Sequence, residues 1–297
     1  MTAVLESRGL GKRYRQLQAL TDCTLSIPAG HIVGLVGPNG AGKTTLLNLA
    51  VGMLAPTSGT IEVLGGKSAS GPAQLAKVGF VAQDTPTYAG FTVADHLKLG
   101  AHLNPGWDAA LARDRIERLG LDPGQRAGKM SGGQRAQLAL TLAIAKKPEL
   151  LILDEPIASL DPLARSEFLQ SLAEFTAALQ VSVVLSSHLL GDLERVCDYL
   201  IVLVASRVQI AGPVSELLAC HRVLTRASRD PASVPPGWQV ISAGLSASQS
   251  TLLVRTSGPA HDSEWTVSQV TLEDLVLAYM SRAATVPGRE PALEARP

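Results

Sequence analysis

Cysteine is scarce: three residues in 297, too few and too scattered to frame a fold. Cys23, Cys197 and Cys220 are odd in number and form no C-x-x-C pair. That spacing excludes a disulfide scaffold and a cysteine zinc site, and it fits a reducing compartment. Net charge is also lacking, since Lys+Arg 26 balance Asp+Glu 26. Binding to a phosphate backbone is mostly a cationic effect, so nucleic acid is not expected as the main partner. Apolar runs stay short of the roughly 18 residues that cross a bilayer, and no segment is expected to span a membrane alone. The opening MTAVLESRGLGKRYRQ has no apolar stretch that would act as a signal peptide. No internal repeat occurs.

Hydrophobic residues nevertheless make up 46% of the chain, and charged residues 18%. The mean hydropathy of +0.19 implies a large core or a surface that a partner covers. Continuous apolar runs read as strands at HIVGLVG (31–37), KVGFVAQ (77–83), ELLILDEP (149–156), VSVVLSSH (181–188) and YLIVLVASR (199–207). Runs without strict alternation suit strands covered on both faces, as in a parallel sheet. Helical patterns fall between them at 43–53, 92–102, 108–119, 132–146, 162–179 and 190–196. Strands alternating with helices specify an α/β core. Beyond residue 219 the texture changes to two or three short strands and a closing helix, a small α+β appendage over 220–282. Residues 283–297 are rich in proline and charge and are expected to be disordered.

Chemistry concentrates in a few stretches. GPNGAGKTT contains G-x-x-x-x-G-K-[ST] as Gly37, Gly42, Lys43 and Thr44. Glycines let such a loop curl its N–H groups toward a triphosphate. Lys43 neutralises phosphate charge, the Thr44 hydroxyl ligates Mg²⁺, and the following helix adds its positive dipole end. LLILDEP is an apolar strand ending in Asp154 and Glu155, at the edge where parallel sheets bind ligands. Asp154 is expected to hold Mg²⁺ through water, and Glu155 to orient or deprotonate an attacking water. Gln83 and His188 end two other strands, within reach of the γ-phosphate, metal or water. In KMSGGQRAQLAL, Ser131 fits a helix cap, and Gly132 and Gly133 expose amides that bind an anion.

With these stretches in this order, the chain resembles an ATP-binding cassette (ABC) ATPase over about residues 3–218, and more loosely those of bacterial ABC-2-type exporters. GPNGAGKTT (Gly37, Pro38, Asn39, Gly40, Ala41, Gly42, Lys43, Thr44, Thr45) matches the phosphate loop and Gln83 the Q-loop. MSGGQ matches the signature, LLILDEP the magnesium strand, Ser159–Asp161 the D-loop, and His188 the switch histidine. The resemblance implies a P-loop NTPase fold: a RecA-like parallel sheet core, an N-terminal antiparallel β part and a helical subdomain at about 84–145. The cassette then occupies 1–219. It implies ATP and Mg²⁺ as ligands, with Tyr14 stacking on adenine and Thr44, Gln83 and Asp154 at the metal. Catalysis falls to Glu155, His188 and Gln83.

The resemblance also implies that the signature acts in trans. Two chains pair head to tail, so that Ser131, Gly132, Gly133, Gln134 and Asp161 meet the nucleotide held by the partner, either a second copy or a homologue. Loss of the γ-phosphate then removes a contact and opens the dimer. Pro86, Tyr88 and Phe91 are expected in the groove that docks a separate permease at the cytoplasmic face of the plasma membrane. LNPGWDAALARDRIERLGL (103–121) and VTLEDLVLAYMSR (270–282) are similar to segments of the exporter group. Two letters depart from the family's usual pattern: Met130 stands for Leu, and Ile157 for Thr, Ser or an aromatic. Both substitutions are apolar and are expected to have small effects. The alternative is a soluble ABC ATPase with a non-transport role. It lacks support here, because neither a second cassette nor a long coiled coil is present.

Overall fold

The computed structural model describes residues 3–68, 71–85, 87–227, 238–245, 249–256 and 265–284. By its contacts the chain divides into two compact units, Met1–Val214 and Ser215–Pro297.

The first unit opens with β1 (Ala3–Tyr14), β2 (Leu17–Pro28), β3 (Ile32–Val36) and α1 (Lys43–Ala50). β4 (Ser58–Val63), β5 (Gly66–Lys67), α2 (Pro72–Lys77) and β6 (Val78–Val81) follow. Three helices come next: α3 (Val93–Leu103), α4 (Ala109–Arg118) and α5 (Gly132–Ala145). The unit continues through β7 (Leu150–Asp154), α6 (Pro162–Leu179), β8 (Ser182–Ser186), α7 (Leu190–Glu194), β9 (Tyr199–Val204) and β10 (Arg207–Pro213).

The central sheet has the order β10-β9-β3-β8-β7-β6, parallel except for β10 at its edge. Every residue of β7, β8 and β9 is buried, as the continuous apolar runs require of strands covered on both faces. A second, antiparallel sheet has the order β2-β1-β4-β5. It shares a core with the central sheet and α1, built from residues such as Leu10, Leu20, Leu35, Leu47 and Leu203. α3, α4 and α5 close on a smaller core of Val93, Ile116, Leu121, Ala127, Met130 and Leu138.

Some boundaries differ from the sequence reading. α1 stops at Ala50, because Gly52 adopts a φ of +76° that the helix cannot continue. β6 and β8 end at Val81 and Ser186, so Gln83 and His188 lie two residues beyond their strands, in loops. A loop position frees both side chains from the alternation of the sheet.

The boundary falls within α8 (Val214–Ala219), whose first residue closes the first unit and whose remainder opens the second. The second unit contains β11 (His221–Arg226), β12 (Gln239–Leu245), β13 (Ser250–Arg255), β14 (Thr266–Gln269) and α9 (Leu272–Ala284). The four strands form an antiparallel sheet of order β12-β13-β11-β14. Leu224, Leu252, Val254 and Trp265 are its core. α9 is capped by Thr271, whose hydroxyl accepts from the Asp274 amide at 3.1 Å. The helix runs to Ala284, and residues 285–297, where disorder is expected, lie outside the described residues.

Candidate functional site

Strand β3 delivers the chain to the loop 37–42 at the C-terminal edge of the central sheet, and α1 leaves from it. Two glycines shape that loop by contact. A Cβ on Gly37 would collide with the Leu203 carbonyl, and one on Gly42 with the Ala19 carbonyl. Gly42 also holds φ +106° at the N-cap of α1, and no side chain caps that helix. The first-turn amides of α1 are therefore left for an external anion.

Lys43 is the first residue of α1, and its ammonium is only 5% exposed. It donates to the Gly37 carbonyl at 2.9 Å and lies 3.5 Å from that of Pro38. Its counter-ion comes from another strand: Glu155 Oε1 is 3.1 Å from Nζ. Glu155 follows β7 in a left-handed conformation, φ +45°, which is uncommon for a residue with a Cβ. That backbone turn aims the carboxylate back across the sheet edge. The second carboxylate oxygen, Oε2, lies 3.1 Å from His188 Nδ1.

Asp154, one residue earlier, ends β7 and is 1% exposed. The Ser186 hydroxyl, at the end of β8, donates to Asp154 Oδ1 at 2.7 Å. Ser186 Oγ in turn accepts from the Glu155 backbone N–H at 2.8 Å. One buried hydroxyl thus fixes both acidic residues, and sequence reasoning missed it. The signal available was a hydroxyl pair, Ser186 and Ser187, in an otherwise apolar strand end.

A cleft of about 560 Å³ collects Lys43, Glu155 and His188, whereas Gly37, Pro38 and the buried Asp154 do not line it. Asn39 to Thr45 line it together with Tyr14, Gln83, Glu155 and His188, and Leu17, Gln18 and Ala19 of β2 complete one wall. Tyr14 is 40% exposed and ends β1, with the Lys12 ammonium 5.3 Å from its ring centroid. The donor set fits the ligands expected from the sequence. Loop amides and a buried ammonium suit phosphate. The Thr44 hydroxyl, Gln83 amide and Asp154 carboxylate are the hard oxygen donors that Mg²⁺ prefers, with water and phosphate completing its shell.

Ser131, Gly132, Gly133, Gln134 and Asp161 do not line this cleft. Ser131 caps α5: its Oγ accepts from the Gln134 amide at 3.1 Å, and Gln134 Oε1 accepts from the Ser131 amide at 2.9 Å. This reciprocal pair is a capping box, so the Gln134 side chain already has a partner in its own chain. Asp161 caps α6, accepting from the Leu163 and Ala164 amides at 3.0 Å each. Met130 is 4% exposed within the helical core, and Ile157 is 1% exposed. Tyr88 and Phe91 are exposed, their ring centroids 5.1 Å apart, while Pro86 lies outside the described residues.

A family model described as ABC transporter matches residues 20–158. The chain is 34% identical over 220 residues to the uncharacterized ABC transporter ATP-binding protein YxlF of Bacillus subtilis, spanning 72% of each protein. It is also 34% identical over 203 residues to the thiamine import ATP-binding protein ThiQ of Salmonella choleraesuis, covering 66% of this chain and 86% of that relative. A solved structure of an ATP binding subunit of an ABC transporter superposes with a TM-score of 0.65 at 29% identity, over 73% of this chain and 92% of the other.

Proposed function

Since the chain belongs to the family of ABC transporter ATP-binding subunits and is an ATPase of that family, we propose that it pairs around two ATP molecules to drive a separate permease in export. The observation that carries this reading is the division of the site. Lys43, Gln83, Glu155 and His188 converge on one cleft, while the heads of α5 and α6 lie outside it. A second chain supplies those heads to the first chain's nucleotide.

In this mechanism the loop amides and Lys43 bind the β- and γ-phosphates, and Tyr14 stacks on the base. Thr44, Gln83 and Asp154 hold Mg²⁺, which neutralises phosphate charge when bound. Glu155 accepts the proton of the attacking water, and His188 fixes the carboxylate that receives it. Ser131 and the amides of Gly132 and Gly133 contact the partner's γ-phosphate, so that its release opens the pair.

Among the described residues no helix is long and apolar enough to cross a membrane. Membrane attachment is therefore proposed through the permease, at the cytoplasmic face. Exposed Tyr88 and Phe91 support docking there, as does a groove lined by Met53, Leu75, Phe80 and Leu142. The cassette core is as similar to a thiamine import protein as to YxlF, whose name gives no direction, so export is not read from the core. Export is proposed from the segments 103–121 and 270–282, which resemble exporter-group sequences. The cassette is assigned to residues 1–219 and the accessory part to 220–282.

The test is purification from membranes of a Glu155→Gln variant with ATP and Mg²⁺. A closed pair with a membrane polypeptide attached is expected. Recovery of a free monomer with no membrane partner would replace this reading with a non-transport ATPase.

A further inference from the structure

The head of α5 carries Ser131–Gly133 and the head of α6 carries Asp161, the two segments that face the partner's nucleotide in the proposed pair. They reach that nucleotide together only if α5 and α6 keep one fixed relation. At the heads the helices meet through small residues: a Cβ on Gly133 would stand 2.9 Å from the Ala164 Cβ. Farther along, a side chain from α4 joins them.

Arg115 of α4 is 5% exposed. Its Nε donates to Thr141 Oγ1 at 2.7 Å and its Nη2 to Gln137 Oε1 at 2.6 Å, on successive turns of α5. The Thr141 hydroxyl in turn donates to the Gln137 backbone carbonyl at 2.7 Å. The guanidinium carbon lies 4.3 Å from the ring centroid of Phe175 on α6. Burial pulls the Arg115 pKa down to about 10, against the attraction of Glu174, so the side chain is still charged at neutral pH. A buried cation is a poor way to gain stability, because an apolar residue of similar volume often does as well. What the guanidinium adds is geometry: two directed donors and a flat face in one rigid group, which neither Lys nor Leu supplies.

We propose that Arg115 is a positioning residue for ATP hydrolysis, fixing α5 against α6 so that Ser131–Gly133 and Asp161 engage the partner's nucleotide as one unit. Arg115 does not line the nucleotide cleft and acts only through these two helices. The inference rests on the trans role proposed above for the Ser131 segment.

The experiment compares the full chain with Arg115→Lys, Phe175→Leu and Ser131→Arg, reading ATP affinity, kcat and melting temperature. ATP-dependent pairing is read with each change placed on Glu155→Gln. Arg115→Lys keeps the charge and most of the volume, and Phe175→Leu keeps the apolar contact without the ring face. Both are expected to bind ATP with unchanged Kd while kcat and pairing fall about tenfold, within the roughly hundredfold that a 1 Å misplacement costs. Wild-type kcat and pairing in both variants would overturn the proposal. So would a parallel fall of Kd-measured affinity, kcat and melting temperature, which marks general loss of folding. Ser131→Arg separates the two levels. If it hydrolyses ATP at the wild-type rate, the trans reading itself is wrong. If it is inactive while the Arg115 and Phe175 variants match wild type, only the role of Arg115 fails.

Discussion

Lys43 and Glu155 form an ion pair, Nζ to Oε1 3.1 Å, with both side chains nearly buried: 5% and 10% exposed. The same ammonium is the group proposed to meet the β- and γ-phosphates. A triphosphate and Glu155 therefore compete for one cation, and the carboxylate also repels the incoming anion.

Removing that competitor should strengthen nucleotide binding. In Glu155→Gln, ATP is expected to bind more tightly, by about 1 kcal/mol or roughly fivefold, while hydrolysis falls at least about a hundredfold. Calorimetry on a chain also carrying Ser131→Arg, which holds it monomeric in the proposed mechanism, isolates the binding step. Weaker binding by the double variant than by Ser131→Arg alone would contradict the competition.

Ser186 ties Asp154 to the Glu155 amide through one buried hydroxyl. Ser186→Ala leaves a buried carboxylate oxygen and a backbone N–H without that partner. The expected loss is about 1–3 kcal/mol of stability, together with slower hydrolysis. Urea unfolding and kcat are the measurements, and a variant indistinguishable from wild type in both would refute the role assigned to this hydroxyl.

Met130 packs with Val93, Ile116, Leu121 and Leu138. Met130→Leu conserves volume and should change stability by less than about 1.5 kcal/mol, with hydrolysis unaltered. Met130→Ala leaves a cavity and should cost about 2–5 kcal/mol. A large kinetic defect in the Leu variant would mean that the thioether itself has a function.

His221, in the second unit, is fully buried, with Nδ1 2.6 Å from the Leu217 carbonyl and Nε2 3.0 Å from the Tyr279 hydroxyl. The carbonyl can only accept, so Nδ1 carries the proton and Nε2 of the neutral ring accepts from Tyr279. Burial lowers the pKa of His221 below 6.5; the bond to Leu217 opposes this, and Arg255 and Arg222 add to it. Well above pH 6.5 the ring is neutral in folded and unfolded chains alike and contributes no pH dependence. As the pH falls through 6.5, the unfolded chain takes up a proton that the folded ring does not, so stability declines until the lower folded pKa is reached. Hydrogen exchange should show amides of α9 and β11 losing protection between about pH 7.5 and pH 5.5, after correction for intrinsic rates. His221→Phe is expected to abolish that decline, and an equal decline in the variant would assign it to another group.

Much of the fold was legible because buried parallel strands write continuous apolar runs. Helices α3 to α6 also follow their caps Thr92, Asp108, Ser131 and Asp161 closely. Apolar runs put Gln83 and His188 at strand ends, yet each lies two residues beyond the last residue of its strand. Hydropathy marks where a strand is buried, not where its last hydrogen bond falls.

The phosphate loop, the acidic strand end and the SGG helix head are legible along the chain alone. Glycine placement, a capping hydroxyl and an apolar run are local properties, set by neighbours along the chain. Which groups satisfy one another emerges from folding: Lys43 with Glu155, Ser186 with Asp154, and Arg115 with Gln137, Thr141 and Phe175. These partners come from separate strands and helices. Burial leaves each polar group no water to bond, so its partner is fixed by packing, which local periodicity does not encode.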